Sequence, residues 1–366
     1  MARTRRQFHL RIWGLALGYF AVYVPYSGLI KVVTLGLWPG SSDVVSGFQL
    51  LPATAVATAI VAPLIVSVMG WWKYAGRRTV FGISMPFPSP VVCLSGLGTA
   101  IIIGTTTLAY TSTGVSILLA LLLLRAGVLI MAPLIDFAFK RKVRWFSWLA
   151  LAFVLAGVLV ALADIDSYDM TLVAAVNIAA YLAGYLLRLP CVNTLAKCDD
   201  DGLTRRYVVE EQMVATTLLV AILAVGAAIG TGPVLADLRS GFGFFTSSIT
   251  LPGLLVGALY ACLYFFGTLV YLDRRENTFC IPLNRGASVL SVVVASYALA
   301  ALFGLAPPSI AQLGGAGLII VALLLLSPLH HIPLYAGNAQ RSLGASPERI
   351  AVNPGRQDKP LPALDR

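Results

Sequence analysis

The sequence predicts an all-α integral membrane protein of ten transmembrane helices, arranged as two inverted five-helix repeats. Three observations carry this. Composition is 58% hydrophobic and only 11% charged, with a mean hydropathy of +0.85, whereas soluble domains carry about 25% charged residues. The apolar residues gather into runs that are apolar on every face and about 20 residues long, the length needed to cross a bilayer. The basic residues alternate from loop to loop, as the positive-inside rule requires.

Spans are expected at about 12–35, 44–69, 91–110, 113–139, 146–163, 171–195, 212–230, 249–272, 281–304 and 310–326. The start, MARTRRQFHLRIW, is basic and then apolar, but the apolar run is too long for a signal peptide and lacks an A-x-A site, so it reads as a retained first span. Basic residues follow at the second loop (Lys73, Arg77, Arg78), the fourth (Lys140, Arg141, Lys142, Arg144), the sixth (Lys197, Arg205, Arg206), the eighth (Arg274, Arg275) and the tail. The opposite side has Arg239 and collects Asp43, Asp164, Asp166 and Asp169. Both termini are therefore expected in the cytosol, with the chain in the cytoplasmic (inner) membrane. Residues 1–11 form the cytosolic N-terminus, 12–163 the first repeat, 171–326 the second, and 327–366 a proline-rich, disordered cytosolic tail.

The net charge of +10 is explained by these loops, so no nucleic-acid partner is implied. Cys93, Cys191, Cys198, Cys262 and Cys280 have no C-x-x-C spacing, and no metal site or disulfide framework is indicated. The histidines, His9, His330 and His331, lie outside the core, and no span carries paired carboxylates. An enzyme is disfavoured on that ground, and no cofactor is expected.

An internal repeat adds to the ten-span plan. TGVSILL from Thr113 and RGASVLS from Arg285 align Gly114 with Gly286 and Ser116 with Ser288 at one offset. Five spans per unit is an odd number, so two such units insert with opposite orientation, a transporter architecture with its substrate near the midplane. The segment LAYTSTGVSILLALLLLRAGVLIMAPLIDFAFKRKVRWFSWLALAFVLAGVLV resembles the EamA-type signature of the drug/metabolite transporter superfamily. The resemblance implies a secondary transporter or exporter with a central cavity that alternates in access. The turn after the fourth span, often acidic in that family, is wholly basic here. Family membership does not fix a substrate.

Ionisable groups inside a bilayer mark function by default, since each costs at least about 2.5–3.5 kcal/mol to insert. Arg125 lies about 18 Å from either end of its span at 1.5 Å per residue, too far to snorkel. It reads as a bidentate clamp for a carboxylate or phosphate, or else as a cation pinned to carbonyls or to an acid on a neighbouring helix. Asp136 lies three turns on, followed by Lys140 at i+4, and reads as a local ion pair or a gating acid; Pro133 between them is a candidate hinge. Asn177, Tyr181, Gly184, Arg188 and Cys191 draw a polar stripe down the sixth span, with Arg188 near enough to the cytosol to snorkel. Tyr19, Tyr23 and Tyr26 form a second stripe, with Lys31 beyond them snorkelling outward. Asn284, Ser288 and Ser291 form a third, beside Arg285, and such groups serve either as interhelical glue or as cavity lining. Glu210 and Glu211 are expected to open the seventh span as N-terminal acids or to act in gating. Gly14 with Gly18, Gly226 with Gly230 and Gly253 with Gly257 read as helix-packing pairs.

A cavity shaped by these cations favours anions. The expected function is transport of a small anionic metabolite, or of the phosphate-bearing headgroup of a lipid carrier, by alternating access. Arg125, Arg188, Asn177, Tyr181, Tyr19, Tyr23, Asn284 and Ser288 would bind substrate, and Asp136 and Pro133 would gate. The alternatives are an exporter of neutral or cationic amphiphiles and, less favoured, a membrane-embedded lipid-modifying enzyme. The partners are the substrate and the lipid bilayer, and a homodimer is compatible with the sequence.

Overall fold

Hydrocarbon offers backbone N–H and C=O groups no partners, so a chain this apolar must satisfy them within its own helices. In the computed structural model, which describes residues 2–39, 44–80, 83–111, 116–138, 145–163, 172–192, 195, 200–243, 248–271 and 277–326, it does so almost throughout. The helices are α1 (Ala2–Thr34), α2 (Gly47–Val68), α3 (Pro90–Thr111), α4 (Ile117–Ala138), α5 (Trp145–Leu162), α6 (Leu172–Cys191), α7 (Asp201–Ile229), α8 (Pro233–Phe242), α9 (Thr250–Tyr271), α10 (Asn277–Phe303) and α11 (Ile310–Leu326). Among the described residues, seven of them are long and apolar enough to cross a membrane, in α1, α2, α3, α6, α7, α9 and α10. The apolar parts of α4, α5 and α11 are shorter, Ile117–Met131, Trp148–Leu162 and Ile310–Leu326.

Burial is inverted relative to a soluble protein. Val68, Ile229, Leu302 and Ile310 face outward, while Arg125, Glu211, Asn284 and Arg285 are buried. Apolar outside and polar inside is the pattern hydrocarbon selects. The chain is a predominantly helical membrane protein.

Three elements depart from the expected map. Between α2 and α3 the chain makes a 3-10 turn at Trp71–Tyr74 and an antiparallel hairpin, β1 (Arg77–Val80) with β2 (Ile83–Pro86), in which Arg77 pairs with Pro86 and Val80 with Ile83. The turn is entered through Gly70 at φ 64°, a left-handed conformation that favours glycine just past the end of α2. Helix α8 occupies what was expected to be a loop after 230. Helix α7 begins at Asp201, well before position 212, because Asp200 caps it by accepting a hydrogen bond from the Gly202 N–H at 2.7 Å. Glu210 and Glu211 therefore stand in the third turn of α7 and not at its N-terminus. A residue's polarity misled the boundary here, because Arg, Glu and Gln propagate a helix as well as Leu does. Helix α2 starts on a reciprocal cap between Ser46 and Gln49.

Packing interleaves the two halves of the chain. Helix α1 packs on α9 and α10, α2 on α9, α3 on α6 and α7, and α5 on α11. Close approach is made by small residues. A Cβ on Gly98 would lie 2.6 Å from the Gly184 carbonyl oxygen, and one on Gly257 2.3 Å from that of Thr54. Gly253 and Gly257 thus pack α9 on α2, and Gly226 and Gly230 meet Leu235 of α8, as pairs. Gly18 meets Phe266, but nothing lies within 4 Å of a Cβ on Gly14, so that pair does not pack as expected. The fourth loop, Gly114 and the tail lie outside the described residues.

These distances set a test. Gly98→Ala is expected to force α3 from α6 and lower stability by about 1–3 kcal/mol, the usual effect of overpacking. Gly317→Ala, where a Cβ meets nothing within 4 Å, is expected to be neutral or stabilising by about 0.5–1 kcal/mol. Melting curves in one detergent compare them; equal melting temperatures would refute the packing described.

Candidate functional site

A cavity opens among α1, α3, α4, α6, α9 and α10. It is lined by Arg125, Arg188 and Arg285, by Tyr19, Tyr23, Tyr181, Tyr185, Tyr260 and Tyr264, and by Thr99, Thr106, Thr268 and Asn284, with Ile102, Leu263 and Gly267 completing the wall. Its volume is about 60 Å³, room for about four to six water molecules at ~10–15 Å³ each.

Arg125 comes from the middle of α4 and is 5% exposed. Its Nη1 donates to the Tyr181 hydroxyl at 3.3 Å, and its Nη2 to the hydroxyls of Tyr23 at 3.3 Å and Tyr19 at 3.4 Å. Nε is buried with no hydrogen-bond partner, and among the described residues no carboxylate forms an ion pair with it. The tyrosines are themselves held in place. Tyr23 and Tyr110 hydroxyls lie 2.7 Å apart, and the Tyr26 hydroxyl is 3.2 Å from Thr107 Oγ1. The rings of Tyr19, Tyr23, Tyr26, Tyr110 and Tyr260 meet edge to face. Tyr19, Tyr23 and Tyr26 recur at helical spacing, so α1 presents all three hydroxyls along one side.

Arg188 is held differently. Its Nε donates to Glu211 Oε1 at 2.9 Å and its Nη2 to Oε2 at 3.1 Å, a bidentate pair. Oε1 also accepts from Ser95 Oγ at 2.7 Å, Thr99 Oγ1 at 2.9 Å and the Tyr207 hydroxyl at 2.8 Å, and Oε2 from the Tyr264 hydroxyl. Six donors from α3, α6, α7 and α9 thus converge on a carboxylate with about four lone-pair directions. Glu211 is fully buried. Its neighbour Glu210 faces the other way, accepting from the N–H groups of Gly76 at 3.0 Å and Ser89 at 3.3 Å and from Arg206 Nε at 2.6 Å. It ties the α2–α3 connection to α7. Arg188 stacks on the Tyr264 ring at 5.5 Å and Arg285 on the Tyr185 ring at 5.0 Å.

Of the residues singled out in the sequence, Arg125, Arg188, Tyr181, Tyr19, Tyr23 and Asn284 meet at the cavity. Arg188 does not snorkel, because its partner lies inward. Asn177 donates to the Thr105 carbonyl at 2.9 Å and joins α6 to α3 instead of lining the cavity. Ser288 donates to the Arg285 carbonyl one turn back at 2.7 Å, within α10, and Ser291 to Ala287 O at 2.6 Å and Phe20 O at 3.3 Å. Asn177 and Ser291 thus take the interhelical-glue alternative, while Ser288 bonds within its own helix. The side chains of Asp136 and Pro133 lie outside the described residues. Sequence reasoning missed Tyr185, Tyr260, Tyr264, Thr99, Thr106 and Thr268 as lining, named Arg285 only in passing, and overlooked Glu211 as the partner of Arg188. One signal was available: moving the start of α7 back to its Asp200 cap puts Glu211 inside a membrane-length helix, where a buried carboxylate requires a cation.

No protein-family model matches the chain, and no curated protein matches it. Among solved structures, one described only as "Crystal structure of protein" aligns with a TM-score of 0.47 and 16% identity, covering 87% of this chain and 99% of its own. A likeness of that degree carries no assignment of function.

The two arginines should respond differently to truncation. Arg188→Met leaves a buried carboxylate without its cation and is expected to cost about 3–5 kcal/mol. Arg125→Met strands no counter-ion and is expected to be neutral or stabilising. Thermal melts decide it: an Arg125→Met protein that melts as low as Arg188→Met would mean that Arg125 has a structural counter-charge.

Proposed function

We propose that the protein is a secondary transporter of a small anionic metabolite, working by alternating access with the described cavity as its binding site. The observation that carries this is the set of orphan donors in the cavity wall. Arg125 Nε and Asn284 Nδ2 are both buried without partners, both belong to lining residues, and both can only donate. A ligand that completes them supplies acceptors, and the uncompensated guanidinium asks for an anionic one. The cavity volume favours a small anion over the headgroup of a lipid carrier. The wall is built from side chains suited to holding a ligand, and no lining residue is a histidine, a cysteine or an acid, which supports transport over chemical conversion.

The contacts between connecting segments support ten crossings with an inverted repeat. Ser46 donates to Asp237 at 2.7 Å, and Ser116 to Gln312 at 2.9 Å, joining segments expected on one face. Arg205 donates to the Tyr74 hydroxyl at 2.7 Å, and Gly76 to Glu210, joining segments expected on the other. Exchanging the first five spans with the second five, α8 set aside, turns the pair α2–α9 into α7–α3 and α1–α9 into α6–α3, and all four pairs are in contact. That equivalence supports the plan of the drug/metabolite transporters. The basic second and sixth loops meet on one face, and we assign that face to the cytosol of a bacterial inner membrane.

The test is thermal stabilisation of the detergent-purified protein by a panel of organic acids, phosphorylated sugars, amino acids and lipid phosphates, beside Arg125→Met. A ligand at 100 times its Kd adds about 2.7 kcal/mol to the folded state. Anions are expected to stabilise the parent and not the variant, and the compound that registers is expected to exchange across proteoliposome membranes. Stabilisation by neutral or cationic compounds alone would favour the amphiphile exporter instead.

A further inference from the structure

The two ends of the cavity are not equivalent. On α6, Tyr181 and Arg188 are seven residues apart, about 10 Å along the axis, and the Tyr181 hydroxyl accepts from Arg125. The two guanidinium groups therefore serve positions about two helical turns apart. At the Arg188 end, three lining side chains, Thr99, Arg188 and Tyr264, already donate to the carboxylate of Glu211. At the Arg125 end, the hydrogen bonds to phenols are 3.3–3.4 Å long, and a donor is left over on Arg125. Asn284 belongs to the same end: a Cβ on Gly267 would lie 2.9 Å from Tyr19 Cε2 and 3.4 Å from Asn284 Nδ2, and that amide nitrogen is also unpartnered.

We infer that Glu211 determines specificity: it occupies, from within the chain, the seat on Arg188 that the second acidic head of a two-headed anion would need. The cavity therefore selects anions with one acidic head, bound at Arg125 and Asn284, and a neutral body extending toward the Arg188–Glu211 pair. This rests on the anion reading above. A second carboxylate reaching Arg188 meets Glu211 as a like charge, or displaces it and strands it in the interior; both disfavour binding. Selection of this kind comes from a repulsive element built into the site.

The experiment uses the full chain in detergent and three six-carbon probes: hexanoate and hexyl phosphate with one head, and adipate with two. In thermal melts the parent is expected to bind a one-headed probe at least about tenfold more tightly than adipate. Glu211→Gln, which keeps the shape and removes the resident charge, is expected to raise the apparent affinity for adipate by about tenfold or more. The double variant Arg188→Gln/Glu211→Gln, which lacks the cation, is expected to lose that gain; a gain that persists in it overturns the proposal. Adipate binding the parent as tightly as hexanoate overturns it, and so does a Glu211→Gln protein whose preference is unchanged. Should Glu211→Gln not fold, the parent's ratio decides alone. A parent that responds to some anion of the larger panel but to neither one-headed probe also overturns it, whereas a parent that responds to no anion refutes the transport reading beneath it.

Discussion

A carboxylate taken out of water must be given a cation and hydrogen bonds in return, or it does not stay charged. Glu211 receives both, from Arg188 on α6 and four hydroxyls on α3, α9 and its own helix α7. Because the donors sit on α3, α6, α7 and α9, the requirement of one side chain sets how those helices stand against one another. Three of those residues, Thr99, Arg188 and Tyr264, also line the cavity at that end. A membrane interior offers no hydrophobic drive to gather helices, so a polar centre of this kind is an effective source of unique geometry.

Arg125 presents the contrasting case. It is as deeply buried, yet its partners are neutral phenols at the long end of hydrogen-bond distance. Oxygen dipoles partly solvate a guanidinium but do not neutralise it. Of the three arginines that line the cavity, Arg188 is saturated and Arg125 is only cradled, and under the proposed function the first belongs to the architecture and the second to binding. The tyrosines suit the second role, since each offers an apolar ring to its neighbours and a polar tip to the cavity.

Around this centre the helices close through contacts that leave no space for side chains. Gly98 with Gly184, Gly157 with Gly315 and Gly257 with Thr54 bring backbones together across α3–α6, α5–α11 and α9–α2. Each joins a helix that ends before residue 163 to one that begins after residue 171, as do α1–α10 and α3–α7. The halves are therefore not separable domains, and helices α1 to α11 fall in one compact unit.

Much was legible in the sequence because hydrocarbon imposes a one-dimensional rule: where runs of apolar residues stand foretold where the apolar helices lie. Arg125 was legible too, since a charge at the middle of such a run has no route to water, and the spacing of Tyr19 and Tyr23 put two of its hydroxyl partners on one helix face. What only the tertiary structure decided is pairing. Nothing in the local pattern connects Arg188 to Glu211, because their helices meet only when packed. Likewise Asn177 and Ser288 share the spacing of cavity residues but turn to a neighbouring helix or to their own backbone. The boundary of α7 failed for the same reason: charged residues at a membrane surface are compatible with loop or helix, and burial of Glu211 among six donors settles which. Sequence dictates which groups must be hidden from lipid, and only the fold determines which groups they are hidden against.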